Sequence, residues 1–121
     1  MKLSRRWRLG ILTGLMGTLL VTGGMPMAQN SQASTTMRVR VLDNLYRPKA
    51  ITIHVGTRIK WVNRGSNHHT VTRSRLPGRW DSGDLAPGAV FRHTFRRVGT
   101  FKYFCKYHRL LGMRGKVVVI R

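Results

Sequence analysis

From Thr36 to the C-terminus, apolar and polar residues alternate in short runs that glycine and proline cut off, and no stretch repeats its apolar residues at helical spacing. Such a chain can bury one face of a strand, but it cannot offer a helix with an apolar stripe. Met37-Arg38-Val39-Arg40-Val41 alternates at period two, and Ile51, Ile53 and Val55 alternate with Thr52 and His54 until Gly56 ends the run. Ile59 and Trp61 point one way while Arg58 and Lys60 point the other; His69-Thr70-Val71-Thr72 reads as a further short strand. Residues 90–95, the run that starts at Gly99, and residues 116–120 complete the set. Leu76-Pro77-Gly78 and Ala86-Pro87-Gly88 are Pro-Gly turns with Asp81-Ser82-Gly83-Asp84 between them. About seven strands with turn signals every ~8–12 residues predict an all-β fold, an antiparallel Greek-key β-sandwich.

The N-terminal third is written differently. Residues 1–8 carry four basic side chains and no acid, residues 9–21 form a nearly unbroken apolar run, and residues 23–33 are small and polar. That order is the pattern of an export signal peptide. Its apolar run is short of the roughly 20 residues a permanent membrane span needs, so cleavage near Ala33, or alternatively Ala28, is expected. A retained leader is the alternative, and the membrane is expected to be met only peripherally or through that segment. The expected domains are therefore residues 1–33 as signal and 34–121 as one small domain, working as a monomer in the periplasm, a thylakoid lumen or at the cell surface. Ser4-Arg5-Arg6-Trp7-Arg8-Leu9 partly matches a twin-arginine signal and leaves the export route open.

A domain of this size buries only ~60–65% of its unfolded surface and gains from a staple. Disulfides cannot supply it, because Cys105 is the only cysteine. A single thiol in an oxidising compartment calls for a protected role, and a metal bond is one. The charge is lopsided: 23 Lys+Arg against Asp43, Asp81 and Asp84, with no Glu. Lys2, Arg5, Arg6 and Arg8 belong to the leader, which leaves 19 − 3 = +16 on the rest. A field of that sign attracts anionic partners. Nucleic acid is argued against by the export leader and by the scatter of the cations along the strands.

The chemistry is concentrated in Cys105-Lys106-Tyr107-His108-Arg109-Leu110-Leu111-Gly112-Met113: a thiol, an imidazole three residues on, and a thioether five beyond that. Period-two parity puts Cys105 on the inward face with Phe101 and Tyr103, at the end of a strand. A second imidazole comes from His69, which heads a strand after a turn-rich loop. A slip to the adjacent His68 would turn that ligand to the opposite face, and the spacing to Val71 favours His69. A thiolate, two imidazoles and a weak thioether form a soft set that copper accepts in both oxidation states. Zinc sites rarely use Met, and no acid is near in sequence to replace it. A Cys–His nucleophile pair is the other reading of these residues, but no acid is paired in sequence with a histidine to orient it.

These residues resemble the plastocyanin-type cupredoxins over nearly all of residues 37–120. The resemblance runs through Gly56-Thr57-x-Ile59-x-Trp61-Val62-Asn63, His69-Thr70-Val71, Asp81-Ser82-Gly83-x-Leu85-x-Pro87-Gly88 and Gly99-Thr100-Phe101-x-Tyr103-x-Cys105. It closes with Cys105-x-x-His108-x-x-x-x-Met113 and Gly115-x-Val117-x-Val119. It implies a single type 1 (blue) copper ion held by His69, Cys105, His108 and Met113, a backbone N–H from Thr70 to the sulfur, and Asn63 bracing the loops. It also implies a carrier of single electrons and not an enzyme; an exported copper carrier or buffer is the alternative. His108 would be the solvent-edge ligand inside an apolar collar of Leu110, Leu111 and Gly112. Lys106, Arg109 and Arg114 on one loop, with Arg73, Arg75 and Arg79 on another, predict an acidic redox protein as partner, such as a cytochrome or oxidase subunit.

Overall fold

The computed structural model describes residues 34–121 and, before them, only residues 14, 17, 18 and 22–27. The chain divides into two units, Met1–Ser31 and Gln32–Arg121. Most of the expected signal peptide lies outside the described residues. No described helix is long and apolar enough to cross a membrane.

The second unit is a two-sheet sandwich. Among the described residues there are nine strands: β1 Thr36–Leu42, β2 Leu45–Arg47, β3 Ala50–His54, β4 Arg58–Asn63, β5 Thr72–Arg73, β6 Trp80–Asp81, β7 Val90–Thr94, β8 Gly99–Phe104 and β9 Arg114–Ile120. One 3-10 turn, Arg109–Leu111, separates β8 from β9. One sheet has the order β2-β1-β4-β7 and the other β3-β9-β8-β5-β6. The expected sandwich is present, but its sheets are mixed and not purely antiparallel, since β1 runs parallel to β4 and β3 parallel to β9. Alternation specifies which face of a strand is buried and is the same for either direction of a neighbour, so the sequence pattern could not separate the two. The strand expected at His69–Thr72 is shorter than its alternation implied. His69 makes an isolated bridge to Leu85, and β5 begins only at Thr72.

The core lies between the sheets, where the inward positions meet. Val39 and Val41 of β1, Ile59 and Trp61 of β4, Phe101 and Tyr103 of β8, and Val117 and Val119 of β9 are all buried. Trp61 is its centre, with Tyr103 and Phe91 rings 5.6 Å away and Phe95 at 6.4 Å. Its indole Nε1 donates to the Tyr103 hydroxyl at 3.2 Å, which satisfies a donor that burial would otherwise strand. His93 stacks on Trp80 at 4.7 Å, and burial lowers its pKa, in keeping with a structural role. His54 lies outside, with Nδ1 2.9 Å from the Arg121 carbonyl oxygen.

Gly115 is demanded by packing. It pairs directly with Tyr103 across β8 and β9, and a Cβ there would run into the Tyr103 ring and hydroxyl. Gly115→Ala therefore destabilises by ~1–3 kcal/mol, the usual range for overfilling a packed core. Urea melts check this, and equal midpoints for variant and parent would show that the ring can move aside at no cost.

Candidate metal centre

Three chain segments meet at one end of the sandwich. β8 ends at Phe104, and the next residue, Cys105, is fully buried beyond Phe101 and Tyr103. The chain then turns through the 3-10 segment and returns at Met113, which is also fully buried. Gly112 permits the return: it ends the turn in the left-handed region at φ 78°, where a side chain is strained. The Cys105 N–H donates to the Met113 carbonyl at 3.1 Å, and the Met113 N–H donates to the His108 carbonyl at 3.2 Å. The loop between thiol and thioether is thus closed by its own backbone.

His69 enters from the other side, pinned by reciprocal backbone bonds with Leu85 of 3.1 and 2.8 Å. Its ring is fully buried, with Nδ1 3.9 Å from the Cys105 sulfur, and Nδ1 of the half-buried His108 is 3.6 Å from the same atom. The three donor atoms of His69, Cys105 and His108 all lie within 4.8 Å of one another. His68 faces outward, and its Nδ1 lies 2.6 Å from Asp84 Oδ2. The one-residue parity choice between these histidines is therefore resolved in favour of His69 as the inward ring.

A frame of hydrogen bonds holds the donors. The Thr70 N–H points at the Cys105 sulfur, 3.4 Å away, and Thr70 Oγ1 accepts from the Lys106 N–H at 2.9 Å. Tyr46 closes the other side by donating its hydroxyl to the Thr70 carbonyl at 2.5 Å. Asn63 donates from Nδ2 to the carbonyls of Asn67 and Leu85, both at 2.8 Å, and accepts from the Gly65 N–H at 2.9 Å. One buried amide thus fastens the loop that delivers His69.

Sequence reasoning missed Asp43. Its Oδ1 lies 3.0 Å from His69 Nε2, and its carboxylate also accepts the N–H groups of Ser66 and Asn67 at 3.1 Å. The hydrogen bond from His69, followed by those two amides, pulls the Asp43 pKa down to about 2. The expectation that no acid lies near the donor set or orients a histidine is corrected. The acid is there, on the nitrogen remote from the sulfur. A carboxylate can only accept, so His69 Nε2 donates to it, and Nδ1 is the ring nitrogen turned toward Cys105. The available signal was Asp43-Asn44 between two apolar pairs, a two-residue hairpin turn. The structure joins β1 to β2 there, with Asn44 at φ 65°.

The expected docking loops need two further corrections. Arg73 does not belong to the exposed basic surface: it is 8% exposed, donates from Nη1 to the Lys102 carbonyl at 3.0 Å and packs over Phe101. Lys106 is already paired with Asp81. In the expected apolar collar beside the half-buried His108, Leu110 is 100% and Leu111 66% exposed, and Gly112 is exposed as well.

A β-sandwich that gathers a buried thiol and two imidazoles at one end, with a buried thioether tied to the same loop, defines a soft mononuclear metal-site protein. The chain belongs to the cupredoxin-like domain family, which matches residues 15–119. It is 31% identical over 121 residues to a plastocyanin from Synechococcus sp. (strain JA-2-3B'a(2-13)), covering 83% of this chain and 86% of that protein. It resembles a purple cupredoxin from Nitrosopumilus maritimus with a TM-score of 0.62 at 25% identity, covering 69% of this chain and 98% of that one. A copper-containing nitrite reductase from Thermus scotoductus SA-01 aligns at TM-score 0.65 and 25% identity over 71% of this chain, but the match covers only 22% of the reductase.

Proposed function

We infer that this protein is a type 1 copper protein that carries single electrons between redox partners, with His69, Cys105, His108 and Met113 as the ligands of one copper ion. The observation that carries the reading is the convergence of His69, Cys105 and His108, whose donor atoms lie within 4.8 Å of one another. The donor chemistry fits the metal: a thiolate and two imidazoles with a thioether on the same closed loop suit copper better than zinc. Copper bound there supplies a one-electron exchange between Cu(II) and Cu(I).

The protein's contribution is a frame that does not rearrange. Asp43 fixes the tautomer of His69, Asn63 holds its loop, and the Thr70 N–H stabilises negative charge on the sulfur. His108 is the half-buried member of the set, beside the exposed Leu110 and Leu111, and it is the edge through which an electron enters or leaves. Three of the four proposed ligands are completely buried, which suits electron transfer better than handing the metal to another protein. No substrate is transformed in this reading, so the protein is not an enzyme. Export places residues 34–121 as the working domain after loss of residues 1–33, and the partner is an acidic redox protein.

Voltammetry of the copper-loaded protein tests the function. A reversible one-electron wave, with intense visible absorption in the oxidised form only, is expected. A colourless copper complex or an irreversible wave would reject it. Asp43→Ala frees His69 Nε2 and two loop amides at once, so copper affinity falls ~10–100-fold, the usual effect of losing an outer partner of a ligating histidine. Competition against a copper chelator measures it, and an unchanged affinity would leave Asp43 with only a loop-bracing role.

A further inference from the structure

The chain has only three acidic side chains, and each is already engaged by the loops that carry His69 and Cys105. Asp43 holds His69, Ser66 and Asn67; Asp81 pairs with Lys106 and accepts from Thr72 and Gly83; Asp84 pairs with His68 and accepts from Tyr107. No internal carboxylate side chain is left for the outer face of the five-stranded sheet. A groove of about 730 Å³ crosses that face over β3, β9, β8 and the segment after β5, and seven of its thirteen lining residues are Lys or Arg with no acid among them. Lys102 stands directly opposite Lys116 in the β8–β9 register, an arrangement that weakens a sheet.

Arg73 forms one wall of this groove and is the anomaly within it. The residue is 8% exposed, its Nε is buried with no hydrogen-bond partner, and none of the ion pairs among the described residues includes it. Burial and the neighbouring Arg75 both lower its pKa. The Lys102 carbonyl and the Phe101 ring solvate part of this charge but no carboxylate balances it, so an anion held at the groove would offset a cost that burial imposes. The size of the array selects the anion. Thr100 to Phe104 of β8 line the groove along ~13 Å at ~3.3 Å per residue. A single small oxyanion reaches one or two of these cations, whereas an extended segment bearing several carboxylates reaches them all.

We propose that this groove docks an extended acidic segment of a partner protein, with Arg75, Lys102, Arg114 and Lys116 receiving its carboxylates and Arg73 adding its charge from beneath them. The proposal deepens the electron-carrier reading, on which only the identity of the partner as a redox protein rests. The test titrates the copper-loaded protein with an acetylated, amidated hexa-aspartate peptide, followed by calorimetry and by amide NMR shifts. Saturable one-to-one binding is expected, with shifts centred on residues 100–104 and 114–116. Arg75→Ala/Lys102→Ala/Arg114→Ala should weaken it at least tenfold. Arg38→Ala/Arg40→Ala/Arg92→Ala removes three exposed cations from the other sheet and should change it less than twofold. Equal weakening by the two triple variants, shifts spread over both sheets, or tighter binding of tripolyphosphate at the groove would overturn the proposal. Visible absorption of the same samples reports on the copper centre separately, so failure of the electron-carrier reading is distinguishable from failure of the groove.

Discussion

Cys105→Ser eliminates the intense visible absorption of the copper-loaded protein and weakens copper binding by more than the ~10–100-fold that loss of an outer-shell partner costs. The sulfur lies 3.9 Å from His69 Nδ1 and 3.6 Å from His108 Nδ1. A thiolate is a soft, charged donor whose electrons give rise to the colour, whereas a serine hydroxyl stays protonated and binds copper poorly. The fold itself should tolerate the change. Serine is close to cysteine in shape, and its oxygen can accept the Thr70 N–H that now points at the sulfur. The metal-free variant should therefore melt within a few degrees of the metal-free parent, while the two holo-proteins separate widely, because a ligand that binds only the folded state stabilises in proportion to its affinity. Visible spectra, chelator competition and paired thermal melts make the comparison. His68→Ala serves as the control: its ring faces outward against Asp84, so colour and affinity should stay at the parent level. Retention of the absorption in Cys105→Ser would remove the thiolate from the centre and the blue-copper reading with it.

What the sequence revealed and what it hid divide along a physical line. Cys105 and His108 were legible because three residues of separation keep them on one loop wherever that loop lies. The inward turn of His69 was legible from its two-residue spacing to Val71, itself fully buried, although the regular strand begins only at Thr72 and the intervening Thr70 is buried as well. Asp43 was hidden because its contact with His69 spans 26 residues. That contact exists only once the β1–β2 hairpin has been brought beside the loop of Ser66 and Asn67. Arg73 was hidden for a related reason. A cationic residue beside a turn reads as solvated, and only the packing of Phe101 and the Lys102 carbonyl draws it under the surface. The parallel pairing of β1 with β4 and of β3 with β9 was illegible in principle, since alternation carries no information about direction.

Trp61→Ala should cost ~3–5 kcal/mol, the range for deleting a large buried aromatic. A domain of this kind has only ~5–15 kcal/mol in total, so the metal-free variant is expected to be partly or wholly unfolded at 37 °C. The indole is completely buried and touches the aromatic layer contributed by β7, β8 and the segments beside them, with Phe91 and Tyr103 rings 5.6 Å away and Trp80 at 6.5 Å. Trp61→Phe separates the two parts of this loss. It keeps much of the apolar volume but removes the Nε1–H that donates to the Tyr103 hydroxyl, leaving an acceptor short of its partner in the core at a cost of ~1–3 kcal/mol. Tyr103 lies two residues before Cys105 on the same strand face, so disturbance of its ring passes directly to the base of the proposed copper loop. Copper should therefore raise the melting temperature of Trp61→Phe, yet bind it less tightly than the parent. Urea and thermal melts with and without copper measure both quantities. A Trp61→Phe variant with parent stability but weakened copper binding would mean that Trp61 acts on the loop through Tyr103 and contributes little to the sandwich itself. Equal copper affinity together with lower stability would confine its role to the core.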